Sequence, residues 1–258
     1  MNTTPIASSY QMGYVALSYF VSVLGGFVAL WAAQRIRRAN GSVSAANSLA
    51  AGLALGGIGV WSMHFIGMVA LKLEAASAYS FPETAVSLVA AVAGSALALA
   101  YVANAPDRLG RILGAGFVLG MGVVVMHYLG MYGLKIAGYI RWDYGVVAAS
   151  AVIAVVAATA ALWLAFNTRG GAARIAAALL MGVAVCSMHY TGMAAAAFIC
   201  TSDPAIAPKG LGYFSPEQLP AIVAFVALTT AALIVVYQVY RESAEDFDGM
   251  EAAATGFR

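Results

Sequence analysis

All three histidines of this 258-residue chain fall in copies of one six-residue word: Met63-His64-Phe65-Ile66-Gly67-Met68, Met126-His127-Tyr128-Leu129-Gly130-Met131 and Met188-His189-Tyr190-Thr191-Gly192-Met193. The histidines stand 63 and then 62 residues apart, a fixed period that signals repeated architecture. Six of the 11 methionines lie in the same words. Imidazole and thioether without a carboxylate suit copper better than magnesium or calcium, and zinc more usually adds Cys, Asp or Glu to its histidines. Haem is the rival cofactor, held by two histidines or a His/Met pair, but three equivalent words fit one three-sided metal site better. Histidine and the second methionine are four apart and share a helix face, whereas the first methionine points about 100° away. The candidate ligands are therefore His64, His127 and His189 with Met68, Met131 and Met193 on the same face, flanked by Met63, Met126 and Met188.

The elements that position these words are membrane spans. Hydrophobic residues make up 62% of the chain and charged residues 9%, against roughly a quarter charged in soluble domains. Apolar stretches run at about 10–33, 47–71, 84–103, 109–134, 144–166, 173–199 and 219–240, each near the ~20 residues that cross hydrocarbon as helix. The fold class is all-α: a polytopic membrane bundle of seven transmembrane helices containing three two-helix repeats. Each word lies toward the C-terminal end of the second helix of a pair, so all three share one membrane side. Spans two, four and six have equal topology, which predicts parallel repeats about an axis near the membrane normal, with the seventh helix breaking the symmetry.

A glycine stands seven residues before every histidine (Gly57, Gly120, Gly182) and another three after (Gly67, Gly130, Gly192). With Gly52-x3-Gly56 and Gly116-x3-Gly120 these spacings predict close helix contacts. Met121 and Met181 share no register and read as packing. Cys186 has no counterpart in the other repeats, and with Cys200 it makes no disulfide framework. Phe65 excludes a mechanism needing three tyrosyl hydroxyls, and Trp61 reads as packing near the interface.

Charge sets the orientation. Arg35, Arg37, Arg38, Arg108, Arg111, Arg169, Arg174, Arg241 and Arg258 follow one set of helix ends; Lys72, Lys135, Arg141 and Lys209 follow the other. The positive-inside rule then places the N-terminus outside, the C-terminus in the cytoplasm and the words in the outer leaflet. The short uncharged segment 1–9 carries no signal-peptide features. A net charge of +2 argues against a nucleic-acid surface. The span centres hold no Asp, Glu, Lys or Arg, which opposes an intramembrane proton relay, and the seventh lacks a retinal lysine. Asp143 and Asp203 follow no hydrolase motif. The tail 241–258 is acidic, alanine-rich and expected to be disordered.

The three words, their spacing and their placement in alternate spans resemble the bacterial MHYT domain, over about residues 10–240. Met188-His189-Tyr190-Thr191 spells that motif in full; Phe65, Ile66 and Leu129 depart from it without touching histidine or methionine. The resemblance implies a sensor in the bacterial inner membrane that binds copper at the nine histidine and methionine positions and detects a diatomic gas such as oxygen, carbon monoxide or nitric oxide. It also implies a cytoplasmic output, supplied by a separate signalling protein or by a longer chain of which this is the sensor part. A non-enzymatic copper sensor is thus the expected function. A copper transporter and a haem-binding electron-transfer protein are the alternatives.

Overall fold

Hydrocarbon offers no partner to a backbone N–H or C=O, so apolar stretches of this length satisfy their polar groups internally as helix. The computed structural model describes residues 5–38, 40–167 and 170–255. Among them seven helices are long and apolar enough to cross a membrane. They are α1 (Met12–Ala33); a composite span of α2 (Ala45–Gly52), a π-helical stretch (Leu53–Ser62) and α3 (Met63–Ala70); α4 (Phe81–Ala103); α5 (Leu109–Gly133); α6 (Tyr144–Asn167); α7 (Gly171–Ala194); and α8 (Leu219–Thr255).

The predicted pairing is present in space. The composite span, α5 and α7 are inner helices and each carries one word. Around them, α1 packs between the composite span and α7, α4 between the composite span and α5, and α6 between α5 and α7. Helix α8 is the unpaired seventh, lying against the composite span. Enclosed by α1, α4 and α8, that span has 83% of its most apolar window buried, against 22–39% for the other six.

Each helix pair is closed at its word-bearing end by two short antiparallel strands. β1 (Ser8–Tyr10) pairs with β2 (Leu71–Leu73), β3 (Ser77–Ser80) with β4 (Leu134–Ile136), and β5 (Gly138–Trp142) with β6 (Ala196–Cys200). In every case the first strand precedes the outer helix and the second follows the inner one. A seventh strand, β7 (Tyr213–Phe214), adds to β3. The glycine pairs do bring helices into contact: a Cβ on Gly52 or Gly56 would collide with α4 at Ala96 or Ala91, and one on Gly116 or Gly120 with α6 at Thr159 or Val155.

Three features depart from expectation. The strands were hidden because their residues continue the apolar spans, as in Leu71-Lys72-Leu73 and Leu134-Lys135-Ile136. The second span is not uniformly α-helical: ten residues before Met63 take the wider π form, with the Ser62 hydroxyl donating to the Gly57 carbonyl five residues back, 2.9 Å away. The tail expected to be disordered is helical through Thr255, because it extends a helix already nucleated by the last span and so avoids the nucleation cost that an isolated segment bears. Arg169 and Arg258 lie outside the described residues, as do 1–4. Cys186 and Cys200 are both free thiols.

Candidate metal centre

The three inner helices deliver His64, His127 and His189 to one point on the bundle axis. Their side chains are buried to 0–1% exposure and stand mutually edge-to-face, with ring centroids 4.9, 4.9 and 5.2 Å apart. The Nδ1 atom of His64 lies 3.0 Å from that of His189 and 3.1 Å from that of His127. Candidate ligand atoms from all three lie within 4.8 Å of one another.

The opposite edge of each imidazole meets a glycine of the next inner helix. A Cβ on Gly130 would collide with Nε2 of His64, one on Gly192 with Nε2 of His127, and one on Gly67 with Nε2 of His189. The glycine three residues after each histidine thus makes room for the ring from the neighbouring repeat, in a closed cycle. No Nε2 has a hydrogen-bond partner. Turned this way, the only polar atoms that converge are the three Nδ1.

The aromatic residue after each histidine wedges the ring from the side. Phe65, Tyr128 and Tyr190 stand nearly perpendicular to their own histidines, at centroid distances of 4.7, 4.8 and 4.7 Å. Beyond them lies a layer that sequence reasoning missed. Ser18, Ser87 and Ser150, one on each outer helix and all fully buried, donate to the carbonyls of Val15, Thr84 and Val147, three residues back. Each serine oxygen then accepts from the bundle: Tyr190 OH to Ser18 at 2.9 Å, Tyr128 OH to Ser150 at 2.7 Å, and Trp61 Nε1 to Ser87 at 3.0 Å. Trp61 supplies the donor that Phe65 lacks. The one visible signal was that Ser87 and Ser150 are 63 residues apart, the histidine period.

The six methionines of the words are all buried, to 0–3% exposure. Met68 borders a cavity of about 400 Å³ at the strand-capped end, together with Lys72 and Glu217. Met188 borders a smaller apolar cavity on the other side of the histidines. Serine hydrogen bonding lowers the Glu217 carboxyl below its usual value. Burial, aided by the nearby Tyr190, pushes the Tyr10 phenol up to about 12.

Three ring nitrogens at this spacing suit a cation. A neutral imidazole nitrogen carries either a proton or an in-plane lone pair. Nδ1 lone pairs that face one another repel, and a nitrogen with a single in-plane lone pair accepts one N–H from its two neighbours. A single ion at about 2.0–2.1 Å from each nitrogen sets nitrogens roughly 3.3–3.6 Å apart, so the 3.0 and 3.1 Å separations would have to widen a little and the third side, within 4.8 Å, adjust to match. Rings in edge-to-face contact leave no slot for a porphyrin between them, which removes the geometric basis for axial haem ligation at this cluster.

Comparison with known proteins gives the same periodicity. A family model described as MHYT, bacterial signalling protein N terminal repeat, matches three times, at residues 57–115, 120–178 and 182–245. Each match begins at the glycine seven before a histidine; the first two run through the following outer helix into the start of the next inner one, and the third ends in α8, so they follow the same period from a different starting point. The chain is 39% identical over 239 residues to the bifunctional diguanylate cyclase/cyclic di-GMP phosphodiesterase MucR of Pseudomonas aeruginosa, covering 91% of this chain and 34% of that protein. It is 32% identical to the cyclic di-GMP phosphodiesterase NbdA of the same organism, covering 79% and 26%. It is 27% identical to the signaling protein YkoW of Bacillus subtilis, covering 74% and 24%. The chain thus spans about a third or less of the length of these curated relatives. No solved structure matches it.

Proposed function

The chain belongs to the MHYT family of bacterial signalling proteins, and on that premise we propose that it is a multi-pass membrane sensor that holds copper on His64, His127 and His189 and responds to a diatomic gas or to redox state. The observation that carries this reading is the convergence of three buried Nδ1 atoms, 3.0 and 3.1 Å apart, from three parallel helices. Imidazole donors within a belt of methionines favour copper among the common metals. In this reading Met68, Met131 and Met193 are thioether donors on the capped side, and Met63, Met126 and Met188 line the other side. Copper bound there supplies one-electron redox chemistry and affinity for small diatomic ligands.

The protein's own part is to hold the three rings and to transmit their displacement. Each imidazole bears on a glycine of the adjacent inner helix, so a change in ring position moves one helix against the next. A ligand shifts such an equilibrium only as far as it prefers one packing over the other. Helix α8 runs from Leu219 to Thr255, about 55 Å at helical rise, and its last 14 residues, about 21 Å beyond the span that ends at Arg241, offer the route to an output. The histidine end is taken as the outer face of the bacterial inner membrane and α8 as entering the cytoplasm, in keeping with the arginines at the opposite helix ends. The names of MucR and NbdA point to cyclic di-GMP turnover as the output, on the same polypeptide or on a separate signalling protein.

Transport of copper is the weaker reading. Beneath the histidines the axis is lined by Val, Leu, Ala and Met, and the far end presents Arg37 and Arg174, which repel a cation.

Elemental analysis of purified protein, beside the variant with His64, His127 and His189 all replaced by alanine, tests the centre. Wild type is expected to hold about one copper ion per chain and the triple variant none. Equal copper in both sinks the proposal. Cellular cyclic di-GMP that responds to oxygen or nitric oxide in wild type but not in the triple variant would support the output.

A further inference from the structure

Directly inward of the histidine layer lies a small apolar cavity of about 30 Å³. Val60, Val123 and Val185 all line it, and each stands four residues before a histidine. The cavity roof is therefore one helical turn, about 6 Å, from the imidazoles. The same position is valine in every repeat, so each inner helix presents the same side chain to the roof, while α6 alone among the outer helices closes the side with Ala154, Ala157, Ala158 and Ala161. The remaining wall is Leu, Ala and Met, with no side-chain nitrogen or oxygen.

A water molecule fits such a volume but finds none of the two to four polar partners it needs, so the cavity stays dry and is suited to a small apolar solute. Its wall is thin on one side. A second, open hollow of about 480 Å³ runs between α6 and α7 on the bundle surface. The two share Ala157, Ala161, Met181 and Ala184, so single small side chains and one flexible thioether separate them. The outer hollow is bordered by Val152 and Val156, each 64% exposed, on a face turned to lipid. Apolar gases concentrate in hydrocarbon because they interact poorly with water.

We propose that this cavity is a binding site for a small apolar molecule of diatomic size, reached from the bilayer through the alanine-lined seam between α6 and α7. The space is too small for an acyl chain and offers nothing to a polar solute. Its link to signalling rests on the metal-centre reading above; occupancy of the cavity does not.

Methyl NMR of metal-free protein in nanodiscs under dissolved oxygen tests it, with dioxygen as the paramagnetic probe. Relaxation at the methyls of Val60, which lines the cavity and is 1% exposed, is expected to rise several-fold more than at Val102, which is 0% exposed and away from the cavity. Ala158→Leu, which fills the cavity from inside, should abolish the difference, with Ala154→Val as the milder filling if that variant does not fold. Ala184→Leu, at the seam, should reduce it. Equal enhancement at Val60 and Val102 in wild type overturns the site, and an undiminished effect in Ala184→Leu overturns the route. Copper content of the same samples before chelation reports separately on the histidine centre, so loss of either reading is seen independently.

Discussion

The Nε2 edge of His64 rests on the backbone of Gly130, so close that no side chain fits between them. Gly130 stands three residues after His127, on the next inner helix. With His127 on Gly192 and His189 on Gly67 this contact closes a ring of three. Each word therefore performs two tasks: its histidine faces the axis, and its glycine receives the histidine of a neighbour. That reciprocity explains why both residues recur at a fixed offset, since neither has a function without the other's helix.

Alanine at Gly130 is expected to displace the His64 ring and to widen the nitrogen triangle. Overpacking of this kind costs about 1–3 kcal/mol. Gly130→Ala should lower thermal stability and reduce bound metal well below one ion per chain, whereas Gly110→Ala, at a glycine with open space around it, should change neither. Normal metal content in Gly130→Ala would separate the glycine contact from the centre.

In the proposed centre the three Nδ1 atoms are one ligand set, so single substitutions should behave alike. His64→Ala, His127→Ala and His189→Ala are each expected to lose most of the bound metal, and the double variants to lose little more. Metal titration of all three checks this. A graded loss of one third per histidine would indicate three separate sites.

The histidine words, the seven spans and the pairing of helices were legible because they are written in local composition and in a repeat of constant length. What each imidazole touches was not. Gly67, Gly130 and Gly192 read as ordinary small-residue contacts, and only the three-dimensional offset between helices shows that they receive a ring. Ser18, Ser87 and Ser150 escaped notice because Ser18 falls out of register with the other two, and the 63-residue spacing of Ser87 and Ser150 alone does not stand out among other serines in apolar spans. The strand caps were absorbed into the spans, where Leu-Lys-Leu looks like a helix end. Composition alone made the segment after Tyr240 look unstructured, yet it continues a helix that the membrane span has already nucleated.

At the capped end, Lys135 lies 3.1 Å from Glu83, with side chains 24% and 22% exposed. Pairs so accessible to solvent contribute about 0–1 kcal/mol. Glu83→Gln is expected to shift stability by no more than that and to become indistinguishable from wild type at high salt, where screening removes the attraction. A larger loss in thermal denaturation would mean that the pair anchors the β3–β4 cap.

The first repeat differs from the others in where its polar partner resides. Tyr128 and Tyr190 reach Ser150 and Ser18 directly, while Phe65 has no hydroxyl and Trp61 reaches Ser87 instead. The Trp61 ring lies 4.7 Å from that of Phe65, so the two act together in the place that one tyrosine fills elsewhere. Trp61→Phe removes the donor and part of the packing, and should destabilise more than Tyr128→Phe, which removes only a hydroxyl. The hydrogen-bond portion is about 1 kcal/mol in each case, because the serine keeps its own bond to the carbonyl three residues back. The further loss in Trp61→Phe is the indole's buried area and the cavity left behind. Chemical denaturation of both variants in the same lipid or detergent measures the difference, and equal losses would show that the indole contributes a hydrogen bond and nothing more.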